Sequence, residues 1–211
     1  MAKTGVYIEA GAKRCFASAA DWPGWCRAGK TEPAALEALA AYAPRYAPVV
    51  RLARLALPAN AAEFVVLERL AGNATTDFGA PGIRAKAEER PQDAHDAERM
   101  RALVVACWEY LDRVRAKAPA ELRKGPRGGG RDRDKMFDHV LGAEFEYAKG
   151  IGRRLKQPSW SDAPAVRAFR KALLDGLANP LPEARWPVPY AARRIAWHAL
   201  DHAWEIEDRS S

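Results

Sequence analysis

Cysteine is scarce. The 211 residues hold three, Cys15, Cys26 and Cys107, too few and too scattered for a disulfide framework or a thiolate metal cage, and none forms a Cys-x-x-Cys pair. Free, buried thiols are the expectation. Histidine is almost as rare, with four in the whole chain. No apolar run approaches the roughly 20 residues needed to span a bilayer, and the opening Met-Ala-Lys-Thr-Gly lacks the apolar stretch of a secretory signal. A cytoplasmic protein without a membrane partner is therefore expected.

What the chain does have is charge and helical periodicity. The formal net charge of +7 favours anionic partners without naming one, and the length allows one large domain or two modest ones. The N-terminal part reads as α+β. Val6 to Ile8 and Cys15 to Ala17 flank a turn-forming Ala10 to Lys13 and predict a β-hairpin. Thr31 is a good N-cap, Pro33 falls in a first helical turn, and Ala35, Leu36, Leu39 and Ala40 recur at helical spacing, with Pro44 and Pro48 expected to end that helix. The β-branched Phe64 to Leu67 predicts a further strand. A turn-rich segment, Gly72 to Gly82, then leads to a domain boundary placed between residues 92 and 93.

Beyond that boundary the pattern is helical. Met100, Leu103, Val104, Cys107, Leu111 and Val114 predict one helix; residues from about Asp134 to Leu155 a second; Ala163 to Leu177 a third. Prolines 180, 182, 187 and 189 forbid helix until Tyr190, after which a fourth runs to the end. Four amphipathic helices imply a bundle following the small sheet module.

The last predicted helix carries His198 and His202. Residues four apart share a helical face with Cβ atoms about 6 Å apart, so the two imidazoles can reach one cation. Ile195, Ala199, His202 and Ile206 form one stripe with His198 at its edge, which turns both rings inward. A carboxylate partner for each ring is the alternative reading of this spacing. Glu205, one turn from His202, could orient an imidazole or act as general base, and is equally readable as an exposed glutamate. His95, in a polar run near a helix start, reads as solvated.

A bundle with His139 on its second helix and His-x3-His on its fourth resembles the DinB/YfiT-like superfamily of metal-dependent enzymes, over roughly residues 95 to 208. The resemblance implies that His139, His198 and His202 are metal ligands, and that Glu144, five residues after His139, lies at the site as a ligand or supporting group; Glu144 and Glu205 are the candidate catalytic residues. On a helical wheel Glu144 sits nearer the apolar stripe than His139 does. Three imidazoles leave a cation such as zinc, nickel or iron open to water or to a low-molecular-weight thiol.

The segment Asp21 to Leu36 resembles the HicB-like antitoxin module, matching at Asp21, Pro23, Gly24, Gly29, Thr31 and Ala35 and departing at Trp25, Pro33 and Ala34. These read as scaffold residues. The loop Arg123 to Arg133 is rich in glycine and arginine, a combination suited to phosphate or carboxylate, with Arg127 and Arg131 as candidate cofactor-binding residues. It lacks the Gly-Lys-Ser/Thr ending of a Walker loop and has no interleaved aromatics of the kind that stack on nucleic acid.

Together these features predict a metal-dependent hydrolase or thiol transferase acting on a small molecule. The competing reading is a nonenzymatic regulatory protein that uses the HicB-like module and the basic loop for protein or nucleic-acid contact. Bundles often form homodimers, but no exposed apolar seam in the sequence marks such an interface.

Overall fold

In the computed structural model, which describes residues 3–90, 92–125 and 129–210, the chain is α+β. Strands β1 (Thr4–Ala10) and β2 (Cys15–Ala19) form the expected hairpin, with Val6 opposite Ala19 and Ala10 opposite Cys15. Strand β3 (Cys26–Gly29) extends it on one side. Helices α1 (Glu32–Ala41) and α2 (Ala43–Leu52) then cross over so that β4 (Phe64–Ala71) joins β1 in parallel, giving the order β3-β2-β1-β4. Thr31 caps α1 as expected, its hydroxyl accepting from the Ala34 amide.

The expectation that Pro44 and Pro48 end the first helix is corrected. The break falls at Tyr42, and both prolines belong to α2. Pro44 occupies its first turn, where a missing N–H costs nothing. Pro48 lies inside and forfeits a helical bond, a cost of about 3 kcal/mol. Tyr46, Val49 and Val50 are fully buried from the same helix, at about 1.5–3 kcal/mol for each large apolar side chain, which outweighs it. The turn-rich Gly72 to Gly82 segment also holds a short helix, α3 (Ala74–Phe78), started by a capping box between Asn73 and Thr76.

Helices α4 (Ala94–Lys117), α5 (Arg133–Gly150), α6 (Ala163–Ala178) and α7 (Val188–Arg209) correspond to the four expected from periodicity. Asp93 caps α4 through the Asp96 amide, at the boundary read from the sequence. One hydrophobic core nevertheless runs through both segments, from Val6 and Ile8 to Trp204 and Ile206. Gly24 shows how closely they meet. Its φ of 93° suits glycine, and a Cβ there would lie 2.7 Å from Leu200 Cδ1 and 3.0 Å from Cys107 Sγ. Among the described residues, no helix is long and apolar enough to cross a membrane.

Candidate metal centre

Helix α7 starts two residues before the expected Tyr190, with Pro187 ahead of it and Pro189 in its first turn, where a missing N–H costs nothing. It is buried on all sides from Tyr190 to Leu200, a fuller burial than one apolar stripe implies. The sheet covers one side, where Phe16 meets Trp197 edge-on at 6.3 Å, while α4 and α5 cover the others. Polar side chains on such a helix must find partners, because each unsatisfied group costs about 1–3 kcal/mol. Arg193 finds the Glu88 carboxylate. His198 and His202, only 7% and 9% exposed, meet through their Nε2 atoms and pack against the His139 ring, while His198 Nδ1 has no hydrogen-bond partner among the described residues.

The three rings form a compact triangle. Ring centroids are 5.0 Å apart for His139 with His198, 5.0 Å for His139 with His202 and 4.6 Å for His198 with His202, at interplanar angles of 65°, 79° and 85°. One nitrogen from each lies within 4.8 Å of the others, so the group could hold a metal ion. The Nε2 atoms of His198 and His202 are 3.2 Å apart. Two nitrogens bound to one tetrahedral zinc at about 2.0–2.1 Å stand about 3.3 Å apart, so this pair already has ligand spacing.

Protonation favours the same use. Burial, followed by the charges of His202 and Arg131, pulls the His139 pKa down to about 4. Burial and then its two histidine neighbours push His198 well below the usual imidazole range. Both rings are neutral near pH 7 and offer lone pairs. A set of three imidazoles, two of them held neutral, fits a borderline divalent cation and leaves part of its coordination sphere open.

Glu205 has a defined position. Its Oε2 lies 3.0 Å from His202 Nδ1, while its Oε1 accepts from Arg209 Nη1 at 2.9 Å. The bond to His202, more than that to Arg209, holds its carboxyl below the usual range. An ionised carboxylate draws a proton to His202 Nδ1 and leaves Nε2 facing the cluster. With both oxygens committed, Glu205 is placed to orient His202.

Glu144 stands elsewhere. Five residues along a helix is about 500°, so Glu144 points about 140° away from His139 on α5. Its Oε1 accepts from Trp108 Nε1 at 2.6 Å, and its Oε2 lies 3.8 Å from Arg170 Nε, beyond hydrogen-bond reach. The structure therefore does not bring Glu144 to the histidines. Arg131 is exposed, yet its charge is felt at both His139 and His198. Arg127 lies outside the described residues. His95 is exposed near Asp96, as expected of a solvated histidine. All three cysteines are free and buried; burial lifts the Cys26 thiol to about 12 and Cys107 further, which suits neither to act as a thiolate.

Two neighbours of the cluster escaped sequence reasoning. Arg194, one turn before His198 on α7, is buried with its guanidinium over the rings of Tyr147 and Trp197. Its Nη1 donates to the Pro81 carbonyl and its Nη2 to the Tyr147 hydroxyl, while Nε has no partner. Tyr147, on α5, lies with its ring centroid 6.1 Å from that of His198. The four-residue spacing of Arg194 and His198 was the available signal. Comparisons of the chain with protein families, with curated proteins and with solved structures found no match, so the reading of this site rests on its geometry.

Proposed function

We propose that His139, His198 and His202 bind one divalent cation, zinc, nickel or iron, and that the protein is a metal-dependent enzyme of the DinB-like kind, hydrolysing a small molecule or transferring a low-molecular-weight thiol to it. The observation that carries this reading is the convergence of three imidazole rings from two helices, two of them held neutral, with ligand spacing between His198 and His202. Such a cation, when bound, supplies Lewis acidity toward a water or thiol entering its open position.

The remaining chemistry belongs to the chain. Glu205 fixes the tautomer and angle of His202, and Arg209 holds Glu205. Arg194 is a buried cation with no carboxylate partner among the described residues. A buried charge is costly without compensation, and an anionic group on the substrate would provide it, with the Tyr147 hydroxyl as a further hydrogen-bonding group. The substrate is thus read as a small molecule bearing a carboxylate or phosphate.

The test is an activity screen of zinc-, nickel- and iron-reconstituted protein on anionic esters, amides and alkylating electrophiles, with and without a small thiol. Turnover that requires metal and is lost in His198→Ala supports the proposal. Turnover unchanged in His198→Ala, or no turnover with any of the three metals across the screen, contradicts it.

A further inference from the structure

A cleft of about 410 Å³ opens between the C-terminal half of α4, the start of α5 and the start of α6. It is separate from the histidine cluster. Phe137, which lines it, and His139 are two residues apart on α5, so their side chains leave the helix about 200° apart.

Its lining combines four guanidinium groups with aromatic rings. Arg133 is used structurally, gripping Asp134 through Nε at 2.9 Å and Nη2 at 3.0 Å and the Ala118 carbonyl through Nη1. Arg170, 7% exposed, is anchored by Nη1 on both Asp112 oxygens, but its Nε and Nη2 have no hydrogen-bond partner. Arg115 meets Asp134 only through Nε, at 3.3 Å, and its guanidinium lies 4.2 Å from the Phe137 ring centroid and 5.3 Å from that of Trp160. Arg167 is exposed and makes no hydrogen bond or ion pair among the described residues.

Donors therefore outnumber acceptors here. Four guanidinium groups face three carboxylates, those of Asp112, Asp134 and Glu144, and burial resists ionisation of the third. Trp160 keeps 36% of its surface exposed at the rim, an unusual place for so large a ring. Arginine presents a planar fork that matches carboxylate and phosphate, and an open indole face accepts a planar ring by stacking. The cleft volume lies in the range of small-molecule sites.

We propose that this cleft is a second binding site, for a small aromatic oxyanion: a carboxylate or phosphate carried on a planar ring, the anion held by Arg115 and Arg167 and the ring against Trp160. The site does not depend on the metal centre.

The experiment is calorimetric titration of the full chain with 2-naphthoate, 1-naphthyl phosphate and inorganic phosphate, repeated on Arg167→Ala, Trp160→Ala and His139→Ala. Arg167 and Trp160 reach the surface, and thermal melts verify that their variants fold. At least one naphthyl probe is expected to saturate one site per chain with a dissociation constant below about 1 mM, and to weaken by roughly tenfold in each of the two cleft variants. His139→Ala should leave that binding unchanged. The two naphthyl arms distinguish a carboxylate ligand from a phosphate one. The proposal is overturned if neither naphthyl probe saturates, if inorganic phosphate binds as tightly as naphthyl phosphate, if either cleft variant binds like wild type, or if His139→Ala abolishes binding.

Discussion

His198 and His202 turn their Nε2 atoms toward each other at 3.2 Å, inside a helix that is buried on every side at His198. Two lone pairs do not face each other at that distance unless a proton or a cation lies between them. His139 brings a third ring nitrogen within 4.8 Å of the pair from another helix, so the group could hold a metal ion.

The support beneath His202 should be measurable. Replacing Glu205 by alanine frees the His202 tautomer and ring angle and is expected to weaken metal affinity by about 10–100-fold. Glu205→Gln keeps an acceptor oxygen and should lose less. Competition against a chromophoric chelator reads both values, and wild-type affinity in Glu205→Ala would remove the orienting role.

Glu144 makes a pH-dependent contribution of a particular sign. Burial first, opposed by Arg170 and Trp108, lifts its pKa from 4.5 to about 7. Between those values the folded chain retains a proton that the unfolded chain has released, so this group's contribution to stability declines as pH rises from about 4.5 to 7. Glu144→Gln lacks the effect. Denaturant melts should show the variant gaining on wild type across that window, by at most the order of 3 kcal/mol at about 1.4 per pKa unit. A difference between the two proteins that stays constant with pH would refute the buried, proton-retaining carboxyl.

Gly24 joins the sheet segment to the bundle. An alanine there combines a positive-φ penalty of about 1–2 kcal/mol with overlap against Leu200 and Cys107. A loss of roughly 2–4 kcal/mol is expected. Because one core spans both segments, the loss should appear in a single unfolding transition followed by far-ultraviolet circular dichroism and tryptophan fluorescence. Two separated transitions in the variant would contradict a shared core.

Local chemistry made much of this fold legible. The hairpin, the Thr31 cap and the four long helices follow from periodicity, prolines and capping residues, all of which act within a few positions. Strand β3 did not, because four residues after a Pro-Gly turn carry too little alternation to read. Helix α2 did not either, since its interior proline is tolerated only for the tertiary burial of Tyr46, Val49 and Val50. In the site, the inward stripe placed His198 and His202, whereas His139 came from a family resemblance that spacing alone could not supply. The resemblance also drew Glu144 toward the histidines, against the helical angle that sends it to Trp108 and Arg170. Arg194 and Tyr147 meet across two helices, a relationship invisible until α5 and α7 pack.

Metal content tests the central claim most directly. Chelator-stripped protein, reloaded separately with zinc, nickel and iron(II), freed of excess metal and analysed by elemental mass spectrometry, should carry about one ion per chain for at least one of them, and below about a tenth in His139→Ala, His198→Ala and His202→Ala. Wild-type protein that takes up none of the three metals in stoichiometric amount, or variants that retain as much as wild type, would contradict it.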